Sequence, residues 1–103
     1  MFRVLTTKEF DNRFDKLDLS ERKRVVKILN QLRERGPKVG KPLGRDYLLE
    51  KKFKGKRLYF LFYKDFLVIL AIAISNKKAQ QETINKIISR LTDYKEFILK
   101  KLN

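Results

Sequence analysis

The residues with the most chemical promise lie between Tyr47 and Tyr63, where Glu50, Lys51, Lys52, Lys54, Lys56, Arg57 and Tyr59 alternate with apolar side chains around one glycine. Gly55-Lys56 fits a two-residue hairpin turn of type II′, with Gly first. That turn sets Lys54 opposite Arg57, Lys52 opposite Tyr59 and Glu50 opposite Leu61. Directly opposed residues project to the same side of a sheet. One face therefore collects Glu50, Lys52, Lys54, Arg57 and Tyr59. The other receives Phe53 with Leu58, Lys51 with Phe60, Leu49 with Phe62 and Tyr47 with Lys64, a mostly apolar set suited to packing on helices.

Like charges placed opposite each other destabilise a sheet, so Lys54 facing Arg57 beside Lys52 asks for an anion among them. Basic residues near a hairpin tip also serve simply to keep a sheet edge soluble, but edge protection does not require Arg, Tyr and Glu to be interleaved on the same face. Neither Cys nor His occurs in the chain. Disulfides, thiolate zinc sites and imidazole acid–base chemistry are thereby excluded, and no metal or other cofactor is expected. Any chemistry falls to Lys, Arg, Tyr and carboxylates.

The 103 residues suffice for one domain, 1–103, with a modest core. Twenty-six Lys and Arg against twelve Asp and Glu give +14, a balance that attracts phosphate backbones, acidic proteins or anionic membrane surfaces. The charge is uneven. Residues 38–57 hold eight basic and two acidic side chains, so nucleic acid is the favoured partner. The start of the chain lacks the layout of a secretory signal. The longest apolar run, Phe66 to Ile74, falls far short of the roughly 20 residues of a membrane span. A soluble, cytoplasmic protein is expected.

The elements that must hold the cluster follow from periodicity. A short strand, about Phe2 to Leu5, leads into a helix opened by the capping-box spacing Thr6-Thr7-Lys8-Glu9 and carrying Phe10, Phe14 and Leu17 on one face. Ser20 is placed to cap a second helix with a Val25, Ile28, Leu29, Leu32 stripe, closed by Gly36-Pro37. Its Arg22, Lys23, Arg24 and Lys27 suit either phosphate contacts or a solvated face. Residues 38–46 read as a loop, and the 29 residues after them as a three-stranded antiparallel meander with turns at Gly55-Lys56 and Lys64-Asp65. The last strand, Phe66 to Ser75, is apolar on both faces, as expected when both are covered, with Val68, Leu70, Ile72 and Ile74 behind the basic cluster. Ile84, Ile87, Ile88, Leu91, Tyr94, Ile98 and Leu102 then predict a C-terminal helix, single or broken near Thr92-Asp93.

The order of these motifs resembles the RelE/ParE toxin superfamily, in its RelE-like and HigB-like part. The resemblance runs through Gly40-Lys41-Pro42-Leu43-Gly44, Leu49-Glu50-Lys51-Lys52, the strand led by Arg57-Leu58-Tyr59-Phe60, and Lys77-Lys78-Ala79-Gln80 after the last strand. It implies an α+β fold, with an N-terminal strand and a helical hairpin packed on a twisted antiparallel sheet. It also implies the toxin of a toxin-antitoxin pair, a metal-independent endoribonuclease (a hydrolase) that cuts messenger RNA on the ribosome.

RNA carries its own nucleophile, so cleavage needs help in deprotonating the 2′-hydroxyl, cations on the phosphorane and a proton for the leaving oxygen. By the resemblance, Arg57 stabilises charge on the phosphate, Lys52 and Lys54 activate the 2′-hydroxyl or bind phosphate, and Glu50 is a base or the partner that holds Lys52 and Arg57. Tyr59 and Tyr94 are the candidates for an acid, since the chain has no His and no C-terminal catalytic Tyr of the family kind. Lys41, Arg45, Lys56, Lys77, Lys78, Arg22, Lys23 and Lys27 are the expected RNA and ribosome contacts. Two other readings stay open: a ParE-like toxin that inhibits gyrase without nuclease chemistry, and a non-toxic basic protein that binds RNA or ribosomes. Both toxin readings imply an acidic antitoxin that folds along the basic groove.

Overall fold

A computed structural model describes residues 1–103. The chain runs β1 (Arg3–Thr6), α1 (Lys8–Asp15), α2 (Leu19–Arg35), β2 (Lys41–Arg45), β3 (Leu48–Phe53), β4 (Lys56–Tyr63), β5 (Val68–Asn76), α3 (Gln80–Ser89) and α4 (Leu91–Leu102). The five strands form one sheet in the order β1-β5-β4-β3-β2. The sheet is mixed rather than wholly antiparallel, because β1 pairs parallel with β5. The α1–α2 hairpin leaves β1 and covers one face of the sheet before the chain enters the meander, so β1 reaches β5 as a spatial neighbour rather than through a tight turn.

Residues 41–45 are an edge strand, although their Gly and Pro content reads as a loop. Pro42 is tolerated because an edge strand has one side with no hydrogen bonds to donate. Gly44, at φ 81°, allows the register shift that the pairing shows between Pro42 and Arg45. The caps also fall elsewhere than the spacing suggests. Thr7, not Thr6, accepts from the Phe10 amide at 3.1 Å. Asp18, not Ser20, opens α2, in a reciprocal capping box with Glu21. Asp and Ser are comparable caps, and the back bond from the Asp18 amide to Glu21 Oε1 favours the earlier start. At the other terminus the helical stretch is broken at Arg90, two residues before the expected position, into α3 and α4.

Two apolar clusters lie on opposite faces of the sheet. Phe10, Leu17, Val25, Ile28 and Leu32 of the helical hairpin pack on Leu49, Phe53, Leu58, Phe60, Ile69, Ala71 and Ile74. On the far face Ile87 of α3 and Ile98 of α4 cover Leu48, Tyr59, Leu61, Val68, Leu70 and Ile72. Strand β5 is thus buried from both sides, as its unbroken apolar run requires. A bulge decides how its side chains divide. Tyr59 pairs with Ala73 but Phe60 with Ala71, so Ile72 is the extra residue, and Ile74 joins the α1–α2 side instead of sharing a face with Val68, Leu70 and Ile72.

Candidate active site

The hairpin turn is at Lys54-Gly55, one residue before the position that its glycine suggests. Both central residues have positive φ, 44° and 75°, the signature of a type I′ turn, whose twist matches that of the flanking strands. The pairs become Phe53 with Lys56, Lys52 with Arg57, Glu50 with Tyr59 and Leu48 with Leu61. Relative to the II′ register one strand has moved by two residues. Faces are kept, because side chains alternate with period two, but partners are exchanged. Glu50, Lys52, Arg57 and Tyr59 stay together. Lys54 leaves them: it sits in the turn, and its Nζ meets Ser20 Oγ at the start of α2.

Two rows of side chains cross the sheet on the α3–α4 face. One runs Lys41, Glu50, Tyr59, Ala73 and the other Lys52, Arg57, Ser75. Strand β2 therefore brings Lys41 to Glu50, a proximity that a loop reading hides. Glu50 is 4% exposed and Arg57 8%, unusual burial for charged residues. Glu50 Oε2 lies 3.6 Å from Arg57 Nε and accepts a 2.8 Å hydrogen bond from Gln80 Nε2, at the first turn of α3. The contact with Arg57 is an ion pair too long for a hydrogen bond, and Arg57 Nε has no hydrogen-bond partner. A buried donor left unpaired costs about 1–3 kcal/mol, more when charged. The Glu50 charge at 3.6 Å offsets part of that cost.

Tyr59 is fully buried, and its hydroxyl is 2.8 Å from Ser75 Oγ, which itself donates to the Asn76 carbonyl at 3.0 Å. Ser75 has a single proton, so Tyr59 is the donor in their shared bond. Burial pushes the Tyr59 phenol above its ordinary value, the bond to Ser75 works against this, and the nearby Glu50 charge adds to the rise. It remains protonated and occupied within the sheet.

Ser75 and Gln80 complete the site and carry no role in the sequence reading. Ser75 had a legible signal as the one hydroxyl at the end of an apolar strand. Gln80 closed the Lys77-Lys78-Ala79-Gln80 motif, but its contact with Glu50 depends on where the fold places α3. Tyr94 lies on α4 in a groove of about 470 Å³ with Ser75, Asn76 and Arg90, and burial raises its phenol also.

The remaining basic residues scatter. Lys77 and Lys78 are exposed in a single 3-10 turn joining β5 to α3, beside Gln80. Lys56 points to α2 and pairs with Glu21 at 2.8 Å. Arg45 is at the opposite end of β2, donating to the Tyr47 hydroxyl at 3.2 Å. Arg22 is half-buried on α2, and Lys23 and Lys27 are exposed there.

This architecture has counterparts among solved structures. The isolated RelE toxin of Escherichia coli matches with a TM-score of 0.65 at 17% identity, over 84% of this chain and 99% of that one. The toxin-antitoxin complex RelBE2 of Mycobacterium tuberculosis contains a chain matching at 0.64 and 19%, over 74% and 98%. The archaeal RelE–RelB complex of Pyrococcus horikoshii gives 0.64 and 17%, over 74% and 94%. The chain has the RelE toxin fold. No protein-family model and no curated protein matches the sequence. Within this RelE-like fold, Lys52 and Arg57 pair near the tip of the β3–β4 hairpin, and Glu50 lies farther along β3, opposite Tyr59 and against Gln80 of α3. No helix is long and apolar enough to cross a membrane.

Proposed function

We propose that the protein is the toxin of a toxin-antitoxin pair and cleaves messenger RNA on the ribosome without a metal. The observation that carries this reading is Arg57: more than nine-tenths buried, its Nε unpartnered, and flanked by Lys52 and Glu50. A scissile phosphate meets the guanidinium at its terminal nitrogens, since Nε itself is closed to solvent beside Glu50. As the 2′-oxygen attacks phosphorus and the bond to the 5′-oxygen breaks, charge grows on the non-bridging oxygens. Arg57, fixed in the centre of the sheet, stabilises that charge without having to reorganise. Lys52, directly opposite and exposed, takes the 2′-hydroxyl proton or binds the same phosphate. Glu50, held by Gln80, orients Arg57 and keeps its charge compatible with burial. Tyr59 acts as a positioning group through Ser75 rather than as the acid, because its proton is committed inside the sheet. The leaving oxygen then takes its proton from solvent or from the ribosome, which orients the RNA.

Lys41, Lys77 and Lys78 border the site and are proposed as RNA contacts. Arg22, Lys23, Lys27, Arg45 and Lys56 lie farther away, as candidates for the ribosome. An acidic antitoxin is the proposed protein partner; the structural counterparts in complex with antitoxins support it, as does the charge of +14.

The test is to add purified protein to a translation reaction and map messenger RNA ends, with Arg57→Ala alongside. Cuts within codons that vanish in the variant support the reading. Intact RNA with loss of gyrase supercoiling would turn it toward the ParE-like alternative.

A further inference from the structure

In the type I′ turn the first central position is one that Asn, Asp or Gly ordinarily fills; here Lys54 holds it at φ 44° and extends away from Arg57 toward α2. On α2, Ser20, Lys23, Arg24 and Lys27 follow one another at i, i+3, i+4 and i+7 and so share one helix face. Together with Leu19 and Lys54 they line a shallow pocket beside the first turns of α2. Four cations thus converge from two elements, with no carboxylate among the lining residues. The two ion pairs of the molecule, Lys56 with Glu21 and Arg57 with Glu50, include none of the four. The nearest carboxylates are already engaged: Asp18 caps α2, and Glu21 binds Lys56 while reaching back to the Asp18 amide. The Lys56–Glu21 pair fastens the hairpin to α2 and holds the pocket together.

We infer that this pocket is a second phosphate-binding site, on the opposite side of the hairpin from Arg57, that takes a backbone phosphate of RNA and plays no part in cleavage. The inference rests on the RNA reading of the proposed function. It also removes Lys54 from the catalytic group. Uncompensated cations around a concave surface favour a phosphate over a single carboxylate, since several donors can share its oxygens. A strand bound at both sites straddles the hairpin tip, and a separate RNA segment engages the second site in the same way.

The test measures binding of the full chain to a single-stranded oligoribonucleotide with all 2′-hydroxyls methylated, which cannot be cut, across a salt series. Lys23→Gln, Lys27→Gln and Lys54→Gln are combined and compared with a control carrying Lys8→Gln, Lys64→Gln and Lys100→Gln, the same charge change at positions elsewhere on the surface. The pocket variant is expected to bind about tenfold more weakly near 0.1 M salt, with a salt slope shallower by roughly 0.7 for each phosphate it no longer neutralises. Lys54→Asn alone, which gives the turn a residue it favours, should show part of the loss with a melting temperature no lower than that of wild type. Equal losses in pocket and control variants overturn the inference. So does a pocket variant that binds RNA normally yet no longer binds polyglutamate, which would assign the surface to an acidic protein. A wild-type chain that binds RNA through this pocket but cuts none would overturn the nuclease reading and leave the second site standing.

Discussion

The two faces of the β3–β4 hairpin both carry cations and use them differently. On the α2 face Lys56 finishes in an ion pair, while Lys54, Lys23 and Lys27 end in solvent-facing positions. Such charges are largely screened and contribute little to folding. On the α3–α4 face Arg57 is buried between three strands with an incomplete set of partners. Exposed lysines raise the local concentration of a polyanion, whereas in the proposed reaction the Arg57 guanidinium acts on one atom group at a fixed place.

Removing Arg57 breaks this contrast most sharply. Arg57→Ala should lower ribosome-dependent cleavage by roughly 10²–10³-fold, the usual cost of deleting one charge-stabilising donor, as read by primer extension on a defined message. Lys54→Ala, on the other face, should leave the cleavage step at saturating ribosome within a few-fold of wild type. Comparable losses in both variants would erase the distinction.

Glu50→Ala leaves Arg57 as an uncompensated buried charge and should destabilise the fold by about 3–5 kcal/mol in urea unfolding. Added sulfate should raise the melting temperature of this variant more than that of wild type, because it supplies the missing counter-charge. Tyr59→Phe deletes one buried hydrogen bond and should cost about 0.5–1.5 kcal/mol, with cleavage largely kept. Abolished cleavage in a folded Tyr59→Phe protein would restore the phenol as the acid.

The smallest effects are expected in pH dependence. Tyr63 is pushed up to about 12 by burial and by Tyr94. The unfolded chain therefore loses this proton near its ordinary value while the folded chain holds it. Stability should fall as pH rises from about 10 toward 12, and Tyr63→Phe should flatten that part of the melting curve. The sign is opposite for Glu21, whose carboxyl is held below its usual range by Lys56 first and by the Asp18 amide second. Its small contribution is present above the ordinary carboxylate range and disappears as pH falls through the depressed value, a change that Glu21→Gln should abolish.

Much of this site was readable from residue types alone. Alternation assigned Glu50, Lys52, Arg57 and Tyr59 to one face, and that assignment survives a two-residue change of register because it depends only on parity. The pairing itself was not readable, since the turn rules favour Gly55-Lys56, with Gly first, over Lys54-Gly55, which puts a Lys at a position that Asn, Asp or Gly ordinarily fills. Strand β2 was hidden because Gly and Pro are loop residues except where an edge tolerates them. The likeness to RelE was legible as an order of short motifs, and the fold comparison carries it at an identity below 20%.

The sequence by itself determined a basic α+β chain with neither imidazole nor thiol, and the face on which its hairpin gathers charge. These follow from composition and from periods of 2 and 3.6 residues, which are local properties. Only the tertiary structure decided that Gln80 reaches Glu50, that Ser75 accepts the Tyr59 hydrogen bond, that Lys41 joins the site and that Lys54 leaves it. Each of these depends on how segments distant in the chain meet, set by the turn, the bulge at Ile72 and the placement of α3, and no local pattern encodes them.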